Sequence, residues 1–390
     1  IGMKTIYLDN GATTMVDPKV VGAMGPYFTE KYGNASSSHH KGQEAKMALE
    51  ESRETIAKSI RAKPDEIIFT SGGTESNNLA IKGIAFANKQ KGNHIITTKI
   101  EHDCVLNACK WLETQGFRVT YLDVDKEGFV DPKGLENAIT KKTILVSIIH
   151  ANNEIGTIQD IKALGEVCRK NHVLFHTDAC QSYTKTDLDV RKQNPDLVTI
   201  NSHKIHGPKG VGALYVRKGV NLAPLLHGGG HENNLRSGTE NVAGAVGFAK
   251  SVKLAKPAHA RSMRKLRNYA IKELRKIPDT KLNGPEGENR LCNNINLTFR
   301  YVEGESIGAF LDAKRGICTS TGSACSSHTL EPSHVLLAIG LKPEEAHGSL
   351  RMTLSRFTTK EEVDTLLRTL PGIIEKLRKM SPLAKTDSSW

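Results

Sequence analysis

The 390-residue chain reads as an α/β protein, and three features of its sequence say so. From about Met24 to about Lys253, apolar runs of strand length alternate with helical stretches, the pattern of a parallel sheet covered on both faces. Several runs stop on polar residues followed by a Gly or Pro turn, as strands do at the edge where open α/β sheets bind ligands. After Pro257 the order changes to a basic helix, a strand over Asn293 to Phe299 and a helix over Ile307 to Lys314. That α+β order suggests a second, smaller domain joined by the N-terminal segment.

In chain order, Val16 to Tyr27 and His40 to Ser59 are expected to be helical, the second long and amphipathic. Glu66 to Thr70 reads as a strand, Ser71-Gly72-Gly73 as a tight turn, and Thr74 to Ile81 as a helix opening on a hydroxyl cap. Such a turn aims free N–H groups and the helix dipole at one point, where a phosphate sits; it also serves in many proteins only to reverse the chain. His94 to Ile100 is a strand ending in Glu101-His102-Asp103. Thr143 to His150 is another, running into Ala151-Asn152-Asn153-Glu154-Ile155-Gly156, and Asp160 to Lys170 is a crossover helix. Val173 to Thr177 delivers Asp178, and Leu197 to Ile200 delivers Asn201-Ser202-His203-Lys204-Ile205-His206-Gly207-Pro208.

Lys204 is badly placed as a surface charge and well placed as an amine that condenses with an aldehyde. Asp178, twenty-six residues upstream, ends another apolar strand. A lysine and a carboxylate at neighbouring strand ends suit pyridoxal phosphate, whose aldehyde needs the amine and whose ring nitrogen needs an acid to stay protonated. On these two segments alone, two unrelated strand ends remain the other reading. His102 would emerge on the same edge, and a lone histidine there is more often a loop residue than a catalyst.

The run Ser-His-Lys-Ile-x-Gly-Pro-Lys-Gly from Ser202, Gly-Gly-Thr-Glu-Ser-Asn-Asn from Gly72, Asn-Asn-Glu-Ile-Gly from Asn152, His227-Gly228-Gly229-Gly230-His231-Glu232 with Arg236-Ser237-Gly238-Thr239, and Ser320-Thr321-Gly322-Ser323-Ala324-Cys325-Ser326-Ser327 together resemble the cysteine desulfurases of the NifS and IscS group. The resemblance spans nearly the whole chain, from Tyr7-Leu8-Asp9-Asn10 to Thr358. It implies the type I fold of pyridoxal-phosphate transferases: a large domain (15–262) with a mostly parallel seven-stranded sheet between helices, and a small α+β domain (1–14 and 263–390) carrying a mobile loop at about 319–330. It implies conversion of L-cysteine to L-alanine, with sulfur passing to Cys325 as a persulfide and on to an iron–sulfur scaffold protein or a tRNA-thiolation route. By the same resemblance Lys204 holds the cofactor aldehyde and moves the Cα proton, Asp178 pairs with the ring nitrogen, and His102 stacks on the ring. Gln181 and Asn153 contact the cofactor. Gly73, Thr74, Asn201, Ser202 and His203 hold its phosphate, with Thr239 reaching in from the second subunit of a homodimer. Arg351 clamps the substrate carboxylate, a task suited to a bidentate guanidinium, with Arg356 nearby as the other candidate. Asn34 contacts substrate. Two residues depart from the family pattern: Asn201 stands in place of a serine, and Ala35 in place of a proline beside Asn34.

Cys325 is the residue that would separate this enzyme from others on the scaffold. From Thr319 to Thr329 the chain is small and polar, without the apolar neighbours of a core cysteine such as Cys104 or Cys168. It reads as one thiol on a loop, and His328 as an exposed neighbour. A selenocysteine lyase, an aminotransferase, or a non-catalytic sulfur-carrying protein are the alternatives, the second giving Cys325 no use. The seven cysteines lack a CxxC pair or zinc spacing, so a reduced cytoplasmic protein without an intrinsic metal is expected, Cys325 serving at most as a transient cluster ligand in a scaffold complex. There is no apolar run of membrane-spanning length. The net charge of +12 is spread over amphipathic helices with few aromatics, which favours an acidic protein partner over direct nucleic-acid binding.

Overall fold

The computed structural model describes residues 4–321 and 331–381. The N-terminal strand β1 (Ile6–Tyr7) stands apart from the main sheet, which is built from β2 (Ile67–Thr70), β3 (His94–Thr98), β4 (Arg118–Leu122), β5 (Thr143–Ser147), β6 (Leu174–Asp178), β7 (Leu197–Asn201) and β8 (Gly212–Val216). Their order is β2-β8-β7-β6-β5-β3-β4. The pairs from β7 through β6, β5 and β3 to β4 are parallel, and β8 is antiparallel to both β7 and β2. Because β8 reverses twice, β2 runs with the parallel set, and the carboxyl ends of β2, β3, β5, β6 and β7 share one edge. The mostly parallel seven-stranded sheet expected from the sequence is thus what forms, with β8 as its one antiparallel strand, short, wholly buried and joined to β7 by the tight Gly207-Pro208 turn that no helical crossover could fit.

Strands β2, β3, β5, β7 and β8 are buried at every position, which explains why they read as continuous apolar runs rather than alternations. Helix His40–Ser59 covers one face together with helices Ile161–Lys170 and Val242–Leu254, enclosing Ile56, Val146, Phe175, Ile200 and Phe248. Helices Gly73–Ala87 and Asp103–Thr114 cover the other, over Ile95, Leu145, Leu197 and Leu214.

A separate apolar core gathers Ile6 and Leu8 with residues from Met263 to Ile374. It lies under β9 (Thr280–Leu282), β10 (Asn294–Phe299), β11 (Ile317–Cys318) and β12 (Ser349–Thr353), of which β12-β10-β9 form an antiparallel sheet and β11 pairs in parallel with β1. Long helices Pro257–Leu274 and Lys360–Met380 pack on it. Among the described residues no helix is long and apolar enough to cross a membrane.

The junction between the two cores is polar and satisfied. Asn294 and Asn296 on β10 both donate to the Glu154 carbonyl, at 3.0 and 2.9 Å. Buried Arg290 donates to Asn294 Oδ1 at 2.6 Å, and its guanidinium is held below its ordinary pKa, to about 9, by that burial. Hydrogen bonds of this kind fix register at distances where apolar contact alone would allow sliding.

Candidate active site

The turn after β7 is held by the chain's N-terminal segment. Thr14 donates its hydroxyl and its amide to the His203 carbonyl, at 2.7 and 3.0 Å, and its hydroxyl accepts from the His206 N–H at 2.8 Å. Lys185 Nζ donates to the carbonyls of Gln181 and Lys204 at 3.0 and 3.1 Å. A Cβ at Gly207 would lie 2.0 Å from Ser202 Oγ, so only glycine lets the turn close there. These bonds fix the backbone of Lys204, whose side chain lines a cleft with Gly11, His102, Asn153, Gln181 and Arg351.

Asp178 is buried at the end of β6, and its carboxylate is supplied with donors. Oδ1 accepts from the Cys180 N–H at 2.9 Å and Oδ2 from Asn77 Nδ2 at 2.7 Å. His102 caps helix Asp103–Thr114: Nδ1 accepts from the Cys104 N–H at 3.2 Å and lies 3.1 Å from Cys104 Sγ. Burial, and then the positive charge of Lys204, hold His102 below the ordinary imidazole pKa, so the ring is neutral near pH 7. Gln181 Nε2 donates to the Gly11 carbonyl at 2.9 Å, which ties the floor of the cleft to the N-terminal segment.

The turn read as a phosphate corner differs from expectation at one residue. Thr74 does not cap its helix; it lies inside, because the helix starts at Gly73 with Gly72 as an N-cap that has no side-chain bond to give. The first-turn N–H groups are therefore left without a side-chain cap, which suits an anion better than a hydroxyl would. A Cβ at Gly73 would come within 2.7 Å of Cys180 Sγ, so glycine is required for the helix to start this close to the strand ends. Nearby, Ser202 Oγ, Asn201 Oδ1, Asn153 Oδ1 and Asn77 Oδ1 are buried without a hydrogen-bond partner. Buried polar atoms are rarely left so, and a group of them at one sheet edge is what a polar, phosphate-bearing ring would complete. His203 is pushed down to about 4 by burial and by Lys204, so it is neutral, and its Nδ1 is 3.0 Å from the Thr13 hydroxyl.

Arg351 on β12 enters from the other side of the cleft, 2% exposed. Nη1 donates to the Asn153 carbonyl at 2.9 Å and Nη2 to Asp9 Oδ1 at 3.1 Å, while Nε has no partner. The alternative, Arg356, is engaged elsewhere, donating to Asp17 Oδ2. Of the two arginines, it is Arg351 that lines this cleft. The loop preceding helix Val242–Leu254 is fastened by Glu232, which pairs with Arg53 at 2.6 Å and accepts from the Phe69 N–H, and by Arg236, which pairs with Glu75 at 2.7 Å.

Not every expected residue joins the cleft. Asn34 is exposed, its amide oxygen accepting from the Ser36 N–H at 2.9 Å, which also keeps its loop ordered with Ala35 in place of proline. Thr239 is exposed on its own chain. Cys325 and His328 lie outside the described residues. Cys104, read from its apolar neighbours as core, does pack against the apolar cluster under its helix, and its sulfur also lies between Asn77 and His102. Asn77 and Glu154 were also missed, although both stand inside the motifs quoted above. The signal was spacing: Asn77 follows Gly73 by one helical turn and so faces the strand ends. Among the described residues no group of three or more His, Cys, Asp or Glu could hold a metal ion, and the six described cysteines are all free.

The family model for class-V aminotransferases matches residues 6–366. The chain belongs to that family, among its cysteine desulfurases. It is 55% identical over 383 residues to a cysteine desulfurase IscS of Dictyoglomus turgidum, with 97% of each chain covered, and 55% identical to one of Methanosarcina thermophila, covering 97% of this chain and 94% of that one. Among solved structures, a NifS-like protein superposes with a TM-score of 0.90 at 38% identity, over 96% of this chain and all of the other. A structure described as SspA in complex with cysteine gives a TM-score of 0.82 at 39% identity, over 91% of this chain and all of that one. Class-V aminotransferases of this kind depend on pyridoxal phosphate; Lys204 lines the cleft, and the same sheet edge carries Asp178 at the end of β6 and an uncapped helix start at Gly73 after β2.

Proposed function

We propose that the protein is a cysteine desulfurase that takes sulfur from L-cysteine, leaves L-alanine, and passes the sulfur on for iron–sulfur cluster assembly. The observation that carries the reading is the meeting of Lys204, His102, Gln181 and Arg351 in one cleft directly above the buried Asp178 strand end. Residues 15–262 are read as the cofactor-bearing domain, and 1–14 with 263–390 as the small one.

Pyridoxal 5'-phosphate bound here supplies an electron sink for the pair left on Cα when the substrate loses its Cα proton. Gly73, Thr74, Asn201, Ser202 and His203 would hold its phosphate, with Thr239 of a second subunit, and Asn153 and Gln181 would contact its ring. Asp178, hydrogen-bonded by Asn77 and Cys180, would pair with the ring nitrogen of the bound cofactor. Lys204 would hold the cofactor aldehyde, and its amine is the group placed to take and return the proton at the substrate Cα. Neutral His102 would stack on the ring and assist that proton transfer. Arg351 binds the substrate carboxylate through its unpaired Nε and one edge of its guanidinium.

The thiolate of Cys325 attacks the substrate sulfur. The new S–S bond takes the sulfur from the substrate β-carbon, the carbon keeps the electron pair and is protonated, and cysteine with one protein thiol gives alanine with one protein persulfide. A partner thiolate then removes the outer sulfur. Iron–sulfur assembly makes a scaffold protein the expected acceptor, and the basic helical surface suits an acidic one.

The test is an anaerobic reaction with cysteine, measuring alanine and protein-bound sulfur. Equimolar alanine and persulfide on Cys325 are expected. Alanine formation at the parent rate by a Cys325→Ala variant, with sulfur still delivered to acceptor, would rule the thiol route out.

A further inference from the structure

Below the cleft, one hydrogen-bonded line joins the residue under the ring nitrogen to the residue over the ring. Asn77 Nδ2 has two hydrogens, and both are used: one goes to Asp178 Oδ2 at 2.7 Å, the other to Cys104 Sγ at 3.2 Å. Cys104 Sγ then lies 3.1 Å from His102 Nδ1. The sulfur accepts from Asn77 and from the Thr74 hydroxyl and still has a proton to give, since burial raises the Cys104 thiol to about 12 and keeps it protonated. Nδ1 of a neutral histidine can only receive here, because the Cys104 N–H also points at it from 3.2 Å. The ring proton must therefore sit on Nε2.

We propose that Cys104 is a positioning residue for His102: its S–H, donated to Nδ1, fixes the imidazole as the Nε2–H tautomer and, through Asn77, ties that tautomer to the Asp178 carboxylate. The thiol is well suited to this place. An alanine there would leave one Asn77 hydrogen and one Nδ1 contact unmet. The charged groups that face His102 would act in opposite senses on its protonation: Lys204 and His334 resist it, while Asp178 and Asp103 favour it. Cys104 adds a neutral donor at the one nitrogen where a proton would otherwise be taken up, so that Nε2–H is the form presented to the cleft across the working pH range.

The inference rests on reading His102 as part of the cofactor site, and the two can fail separately. Ring-nitrogen NMR of protein labelled with 15N-histidine, with the His102 signals assigned by their loss in His102→Gln, reads the tautomer and its titration with or without pyridoxal phosphate. In the parent protein Nδ1 is expected to be bare and Nε2 protonated. Cys104→Ala and the near-isosteric Cys104→Val should both raise the His102 protonation midpoint by about half a pH unit or more, the worth of one ordinary neutral hydrogen bond. Cys104→Ser, which can accept from Asn77 and donate to Nδ1, should keep the parent midpoint. In the cofactor-loaded enzyme the acid limb of the kcat profile should move with that midpoint while KM for cysteine stays put. If Ala and Val leave both nitrogens and the midpoint as in the parent, or if Val restores what Ala loses, the proposal is overturned and Cys104 only fills space. Should Cys104→Ala fail to fold, the Ser and Val pair makes the same comparison. If instead His102→Gln desulfurates at the parent rate, the assignment of His102 to the site fails whatever its tautomer.

Discussion

The two walls of the cleft are built by different means. The Lys204 wall stands on two adjacent strands with buried ends: β6 and β7 pair directly, Asp178 is fixed by the Cys180 N–H and Asn77, and the turn bearing Lys204 is held by Lys185 and by Thr14 of the N-terminal segment. The Arg351 wall is assembled from distant parts of the chain. Its guanidinium is held by Asp9 from the N-terminus and by the Asn153 carbonyl from the β5 end, 342 and 198 residues away in sequence. A wall made by strand ends tolerates little movement, whereas one made across a polar junction can yield when substrate replaces an internal partner. The chemistry that must be rigid stands on the first, and the recognition that must exchange partners stands on the second.

The comparison is broken most severely at Lys204. Lys204→Ala should lower alanine formation by at least about 1,000-fold, within the range for loss of an acid–base group, with the protein still folded by thermal melting. On the opposite wall the effect should fall on binding. Arg351→Lys should raise KM for cysteine by about 10- to 100-fold, matching about 1.5–3 kcal/mol for a charged hydrogen-bonded contact, with a smaller change in kcat. Arg356→Ala is the control. Removing it strands Asp17, so it should cost about 3 kcal/mol of stability by denaturant titration while KM changes less than about threefold.

Next in size is the acid response of the sheet itself. His150, His176, His203 and His206 are all pushed down to about 4, in each case by burial first. Unfolded histidines titrate near 6.5, so the unfolded chain binds more protons between these values, and stability should fall as pH drops from about 6.5 toward 4 and level off below. A melting temperature that stays flat across that range would contradict the burial of these four rings. His176 to Asn, whose partners Ser147 and Thr199 lie on the flanking strands, should flatten the response by about a quarter.

The smallest effect concerns Glu101, beside His102. Burial raises its carboxyl to about 8; one oxygen accepts from Thr98 and from the Ile149 N–H, and the other has no partner. Its folded pKa exceeds the unfolded one, so its contribution is present in acid and is lost as pH rises through about 8. Glu101→Gln keeps the accepting oxygen and removes the charge. It should therefore melt higher than the parent at pH 9 and no higher at pH 5.

Most of the Lys204 wall was legible before any coordinates. Strands that are buried on both faces read as apolar runs, and a lysine, an aspartate and a histidine at their ends can be located by counting. The strand reversal at β8 was not legible, because an antiparallel buried strand has the same composition as a parallel one. Nor were the polar contacts of Cys104: its sequence neighbours are the apolar residues of an amphipathic helix and it packs on their cluster, but at the first turn its sulfur also reaches Asn77 and His102. Asn34, a motif residue, was likewise not placed by sequence: it is exposed, and its side chain closes its own loop turn.

By itself, the sequence determined the alternating α/β order, the set of strand ends and the chemical groups they carry, because periodicity and turn residues act over a few positions. Only the tertiary structure decided which arginine enters the cleft, which oxygen atoms are left without partners, and how Asn77 and Cys104 connect Asp178 to His102. Those outcomes depend on side chains from segments up to hundreds of residues apart meeting at hydrogen-bond distance. Local preference carries no information about such meetings, and packing fixes them once the chain has closed.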